Sequence, residues 1–284
     1  MMAALWQRLR HGTALLVQQP DWSLFAGENW PGKIMDVPVA DRFHAKQGRS
    51  IGRWRLQAGE CRLTVYLKRH YRLPRWAGWL ATLFPRHAWS PGLGEWQRLH
   101  VAARHGMPVP RAVAAGQWVG PWGRLRGFIA IEELADELPL HEAIPLAAKR
   151  LPSLAFAQWK RSLIVELVRL VRALHDQKLF HNDLYLCHFY IAEADTRLIP
   201  PDWRDRVHVI DFHRFGRSGL PGYARIKDLG QLLYSSDVDG LTDRDRWRFW
   251  RHYRGGPERH WLRWAILFKC GRYQRHNAKR RKRQ

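Results

Sequence analysis

The stretch His181-Asn182-Asp183-Leu184-Tyr185-Leu186-Cys187-His188-Phe189 is followed, after one hairpin's length, by Val207-His208-Val209-Ile210-Asp211-Phe212-His213, and this pair constrains the chain more than any other feature. Upstream, Leu163, Ile164, Leu167, Val168, Val171 and Leu174 recur at one-face spacing, which predicts a helix over roughly 157–177 packed on a core. Asp183 therefore falls in the loop just after a helix, and Asp211 ends an apolar strand. A carboxylate behind a helix is placed to accept a proton, and one that ends a buried strand is placed to hold a ligand. Order, spacing and flanking pattern agree on a pair of working acids.

The rest of the chain divides around that pair. The first forty residues, rich in Trp and Pro, read as an irregular or short-helical extension (1–40). Residues 50–69 alternate apolar with polar about a Gly59 turn, the pattern of a hairpin. Ser90-Pro91 can cap and open a helix that carries Glu95 and ends at Gly106 and Pro108. Two more strand-like runs follow, Ala112 to Val119 and Leu125 to Glu132. Strands, one helix and strands again make a small α+β lobe over 41–133, and the mostly helical remainder makes a larger lobe over 134–275. The expected fold class is thus α+β, a bilobal protein-kinase-like fold with an antiparallel sheet in its N-lobe. Residues 276–284, with five Lys or Arg, read as a solvated basic tail.

A fold of this kind points to phosphoryl transfer, which needs positioning and charge neutralisation more than covalent chemistry. Lys68 ends the apolar strand Val65-Tyr66-Leu67-Lys68, where it would hold the α- and β-phosphates of ATP, and Glu95 in the next helix would orient it. Each alone is as readily a strand-end or helix-end charge; the pair carries the assignment. Asp183 would be the base and Asp211 the ligand of Mg2+, with Asp228 bracing the catalytic loop as a structural acid. Gly48 and Gly52, in Gly48-Arg49-Ser50-Ile51-Gly52, are a fragment of a phosphate-covering glycine pattern or else a plain hairpin turn. Glu132 and Leu134 complete the expected nucleotide contacts.

Composition narrows the partner. The chain has 284 residues, and its 48 Lys and Arg against 25 Asp and Glu leave a net charge of +23, which calls for an anionic partner: nucleic acid, membrane surface or phosphorylated glycan. No nucleic-acid recognition motif accompanies the charge, and nucleic acid is not expected. Sixteen tryptophans exceed what a core of this size requires, and serve either half-buried interfaces or internal gaps. Three cysteines, Cys61, Cys187 and Cys270, stand in no metal-ligand spacing and read as reduced thiols of a cytoplasmic protein. Ala14-Leu15-Leu16-Val17 is too short for a signal core, and no run approaches the roughly 20 apolar residues of a membrane span. Contact with a membrane is therefore expected to be peripheral. Arg72 to Arg86, with Trp76, Trp79, Leu80, Leu83 and Phe84 between arginines, suits either a lipid headgroup layer or a short helix packed on the small lobe.

Tyr185, Cys187, His188 and Phe189 behind His181 and Asp183 resemble the catalytic loop of the lipopolysaccharide core heptose kinases, the InaA-type kinases of Gram-negative envelopes. Ile210-Asp211-Phe212-His213-Arg214 and Arg225-Ile226-Lys227-Asp228-Leu229 with Tyr234-Ser235-Ser236 resemble later blocks of the same family, and the likeness covers roughly 43–250. It implies ATP with magnesium, a sugar hydroxyl of the lipopolysaccharide inner core as acceptor, and work at the inner face of the inner membrane on an anionic surface. His188, which the family shares, stands where protein kinases place a magnesium-binding asparagine; it is assigned to nucleotide and metal, although imidazole is a poor ligand for magnesium. Asn182 replaces the usual arginine, so regulation through a phosphorylated activation loop is not expected. His213 replaces the glycine after Asp-Phe, which should restrict flipping of that loop. Two other readings stay open: a protein or small-molecule kinase of the same fold, and a non-catalytic nucleotide-binding scaffold.

Overall fold

A computed structural model of the chain describes residues 2–44, 48–257 and 260–281. The segment before residue 40, expected as an irregular or short-helical extension, holds short helices but also gives a strand to the sheet. Helix α1 (Met2–His11) leads into β1 (Thr13–Gln18), which pairs antiparallel with a later strand from Thr13 opposite Val119 to Gln18 opposite Ala114. The run Ala14-Leu15-Leu16-Val17 is thus an edge strand. Helices α2 (Trp22–Ala26) and α3 (Trp30–Lys33) then lay Trp22 and Trp30 on the sheet. Their rings meet edge-on at 6.1 Å, Trp22 meets Trp54 at 5.7 Å and Trp30 meets Phe128 at 5.6 Å. Such pairs add about 0.5–1.5 kcal/mol each beyond area burial.

Strands β2 (Ala40–His44), β3 (Arg49–Ala58) and β4 (Cys61–His70) follow, then α4 (Arg75–Leu83), α5 (Pro91–Arg104), β5 (Ala112–Gly120) and β6 (Arg124–Glu132). The sheet runs β1-β5-β6-β4-β3-β2. The alternation at 50–69 becomes the long hairpin β3–β4, with Val65 and Leu67 fully buried on one face. On the same strand Arg69 is 1% exposed; its guanidinium donates to the carbonyls of Met35 (3.1 Å) and Val37 (2.7 Å) and to Ser50 Oγ (3.2 Å). A buried cation is tolerable only with such partners, and these tie the N-terminal segment to the sheet. Ser90 Oγ accepts the Leu93 N–H at 3.2 Å, so it caps α5 as its position suggests.

Residues Met1–Val101 and Pro110–Leu134 form one compact unit, and Ala102–Val109 with Ala135–Gln284 form the second. The second holds β7 (Glu137–Pro139), α6 (Leu140–Arg150), α7 (Ser153–Asp176), β8 (Leu179–Phe180), β9 (Phe189–Ala192), β10 (His208–Val209), β11 (Gly216–Arg217), α8 (Pro221–Ser235), α9 (Asp243–Arg254) and α10 (His260–Arg281). The periodic face of α7 buries Leu163, Leu170, Val171 and Leu174. Buried Lys160 on the same helix bonds Asp245 Oδ2 and the Gly240 carbonyl, both at 2.6 Å, fastening α7 to α9. Residues 276–281, expected as a solvated tail, continue α10. Ala278 and the Lys and Arg at 279–281 are strong helix formers, His276 and Asn277 weaker ones, and no Gly or Pro interrupts the ladder there. The remaining tail residues, 282–284, lie outside the described residues.

Candidate active site

In the sheet unit, Lys68 lies on the central strand β4, between Ile51 of β3 and Ile129 of β6. Its Nζ donates to Glu95 Oε1 at 2.7 Å, and Glu95 is 5% exposed near the start of α5. The strand fixes the lysine stem, and the capped helix presents the carboxylate, so the expected pair is formed. Removing one partner of such a pair leaves a buried charge uncompensated.

Of the glycine fragment, Gly48 falls in a turn, as the plain-turn alternative has it, and Gly52 falls inside a strand. Gly48, at φ +71°, sits in the turn before β3, and its carbonyl accepts the Tyr71 N–H at 2.7 Å. Gly52 lies inside β3, opposite Leu67, because residues 50–52 continue the alternation of that strand and leave no loop there. Glu132 closes β6: its N–H donates to the Arg111 carbonyl (2.8 Å), and its carboxylate lies 3.6 Å from the Arg111 guanidinium. Leu134, half-buried, ends the first unit.

In the helical unit the loop 181–188 is held from three sides. Asp228, fully buried on α8, accepts the backbone N–H groups of His181 (2.9 Å) and Asn182 (2.8 Å) and lies 3.3 Å from His175 Nε2. His181 Nε2 donates to the Ile210 carbonyl at 3.0 Å, linking the loop to the residue before Asp211. That bond requires the Nε2–H tautomer, which leaves the buried Nδ1 as a bare acceptor with no bond among the described residues. Burial holds the His181 pKa below its ordinary value, against a counterpull from Asp228, so the ring stays neutral. Lys227 Nζ closes the third side on the Asn182 carbonyl at 2.5 Å.

Asp183 is thus aimed by its backbone. Gln231, 2% exposed on α8, donates from Nε2 to Asp183 Oδ1 (3.3 Å) and to the Tyr185 hydroxyl (3.2 Å), while its Oε1 accepts the Leu184 N–H (3.2 Å). Asn182 and Asp211 both take left-handed backbone, at φ +63° and +67°. Asn and Asp tolerate that region better than other side chains, and strained backbone gathers at working sites.

Asp183, Asp211 and His213 each offer a ligand atom, all within 4.8 Å of one another. His213 Nδ1 lies 2.6 Å from Asp211 Oδ1, and that hydrogen bond lifts the His213 pKa above its ordinary value. His188, expected among the ligands, is not part of this group. Its Nδ1 donates to the Asp183 carbonyl at 2.7 Å, and its Nε2 is 3.8 Å from Asp211 Oδ2. As a donor set, the two carboxylates suit a hard cation such as magnesium, and the imidazole of His213 does not. Gln231 and His213 were not among the residues singled out for the chemistry. His213 was visible only as a substituted glycine, and Gln231 lies 48 residues beyond Asp183 with no local pattern to announce it.

Residues 43–253 match the model of the lipopolysaccharide kinase (Kdo/WaaP) family. The chain belongs to that family. Among known members it is 35% identical over 170 residues to the lipopolysaccharide core heptose(I) kinase WaaP of Pseudomonas aeruginosa, and 32% identical over 170 residues to that of Escherichia coli K12. These matches take in 60% and 58% of this chain and 61% and 60% of the relatives, so the chain spans about 60% of the length of the curated relatives it matches. A solved structure of WaaP in complex with acyl carrier protein superposes with a TM-score of 0.64 at 28% identity, covering 91% of this chain and 97% of that one. The α+β, protein-kinase-like fold expected from the sequence is the fold shared with that family member. Among the described residues, no helix is long and apolar enough to cross a membrane.

Proposed function

We propose that the chain is an ATP-dependent kinase that transfers the γ-phosphoryl group to a sugar hydroxyl, a heptose, of the lipopolysaccharide inner core. The observation that carries the reading is the Asp183–Asp211 pair, two half-exposed carboxylates that come within 4.8 Å of each other, Asp183 on the loop braced by Asp228 and Asp211 just after β10. The names of the relatives supply the acceptor class.

In this reading Lys68, held by Glu95, binds the nucleotide's phosphates as a point charge. Asp183 accepts the acceptor hydroxyl's proton as the sugar oxygen bonds to the γ-phosphorus, and the bond to the leaving ADP oxygen breaks. Asp211 and Asp183 would hold magnesium, whose charge neutralises phosphate oxygens. His188 and Gln231 are positioning residues: one fixes the Asp183 backbone, the other its carboxylate. The enzyme would work at the inner face of the inner membrane, where a glycolipid acceptor is reached from the surface. The solved relative's partner, acyl carrier protein, is extended to this chain as a partner. A cavity of about 410 Å³ in the helical unit, lined by Leu163, Leu229, Trp250 and Leu267, suits an acyl chain.

The test is incubation with ATP, magnesium and dephosphorylated core glycolipid, followed by mass spectrometry of the released oligosaccharide. One phosphate added to a heptose is expected. An unmodified core alongside phosphorylated protein substrate would overturn the assignment in favour of a protein kinase.

A further inference from the structure

Helix α4 is built the wrong way round for a helix in water. Its buried side carries small residues, Ala77, Gly78, Ala81 and Thr82, while Trp76, Trp79 and Leu83 face out. Trp76 is 64% exposed. Gly78 packs on Gly123 with no room for a Cβ, which brings the turn Pro121–Gly123 against the helix. That turn holds Trp122 at φ +58°, 58% exposed, a left-handed backbone that a large aromatic residue takes up only at a cost. Helix α1 packs against both and adds Trp6, 62% exposed. Four tryptophans with Leu83 and Phe84 are thus displayed on three touching elements.

The charge around them has one sign. Residues 1–20 contain no acid, and between Cys61 and Ile131 the one acid is Glu95, buried against Lys68. Arg72, Arg75, Arg86 and Arg124 are all exposed on or beside these elements. A soluble monomer rarely displays such a patch without a partner. Indole rings prefer the boundary between hydrocarbon and headgroup, and arginines favour the anionic lipid phosphates of that layer. A short helix with outward Trp and Leu and flanking Arg is suited to lie in the plane of that boundary.

We infer that the face made by α1, α4 and the 121–123 turn is the surface by which this protein docks on an anionic lipid bilayer, with the tryptophans at headgroup depth and the arginines on lipid phosphates. The inference rests on the glycolipid reading of the acceptor and names the surface that reading leaves open. It does not depend on phosphoryl transfer. Trp261, Trp264 and Phe268 on α10 form another exposed aromatic stripe, in the other unit, and serve as the comparison surface.

The full chain is sedimented with phosphatidylcholine vesicles, with and without phosphatidylglycerol and free of lipopolysaccharide. Binding that requires phosphatidylglycerol is expected, with indole fluorescence quenched by brominated lipid. Trp76→Gln with Trp79→Gln should weaken it at least tenfold, and Arg72→Gln or Arg75→Gln about fivefold each. These side chains are exposed, so the melting temperature should be unchanged. Transfer to soluble, lipid-free core oligosaccharide should also persist in these variants, which separates this inference from the kinase reading: loss of that transfer in the wild type bears on the reading alone. Equal vesicle binding by the Trp variants overturns the inference, as does loss of binding only on Trp261→Gln with Trp264→Gln. So does a wild-type dimer that ignores vesicles and is dissolved by the α4 substitutions, which would make the face a self-association surface.

Discussion

At the scale of single residues, two aspartates in the same unit use the same group for opposite ends. Asp228 is fully buried and spends its oxygens on backbone N–H groups; Asp183 is half-exposed and keeps capacity toward solvent. Asp183→Asn should therefore lower the proposed transfer by about 10²–10⁴-fold, the range of a lost general base, with little change in melting temperature. Gln231→Leu should behave otherwise. It leaves the buried Leu184 N–H unpaired, which costs about 1–3 kcal/mol of stability. It also frees the Asp183 carboxylate, so kcat should fall with KM nearly unchanged. A raised KM with wild-type kcat would remove Gln231 from the positioning role. Asp183, Asp211 and the Lys68–Glu95 pair were legible because each sits in a short linear pattern. Gln231 and the His213–Asp211 bond were not, since their roles exist only once α8 and the 212–214 turn have folded beside the loop.

At the scale of elements, the hairpin β3–β4, the capped helix α5 and the long helix α7 follow from periodicity, which is a local property. The N-terminal segment is different. Its edge strand β1 finds its partner 100 residues away in β5, and its tie to the sheet is the Arg69 guanidinium on carbonyls of residues 35 and 37. No local pattern encodes a pairing of that range. Arg69→Met keeps the volume but leaves buried carbonyls without donors, at about 1–3 kcal/mol per group. Thermal unfolding should show the loss, and limited proteolysis should cut first within residues 19–40. Unchanged stability and an uncut segment would contradict the tie. The tail shows the converse: a run of positive charge says nothing of backbone order, and residues 276–281, attached to an existing helix and free of Gly and Pro, carry it on while His276 and Ala278 stay exposed.

At the scale of the whole molecule, pH acts through two histidines that burial keeps neutral and, with the opposite sign, through His213, whose bond to Asp211 raises its pKa and adds stability as pH falls. His70 in the sheet unit, lowered by burial and then by Arg49 and Lys68, and His181 in the helical unit both titrate below their ordinary value in the folded protein. The unfolded chain therefore takes up protons first as pH falls through about 6.5. Stability should be full above that point and decline below it, and His70→Asn should flatten the decline. Burial would raise the Asp245 pKa, but bonds from Lys160 and Thr242 hold it below the ordinary carboxylate value, so its contribution is lost only at lower pH. An acid-side change in melting temperature between about pH 7.5 and 5.5 that is the same in His70→Asn as in the wild type would contradict the role given to His70.

The most direct measurement of the central claim is transfer of labelled γ-phosphate from ATP to dephosphorylated lipopolysaccharide, comparing the wild type with Asp183→Asn and Asp211→Asn. The account predicts label in the glycan with the wild type, loss of label in both variants, and an unchanged melting temperature in Asp183→Asn. Label in the glycan at the wild-type rate with Asp183→Asn would contradict it.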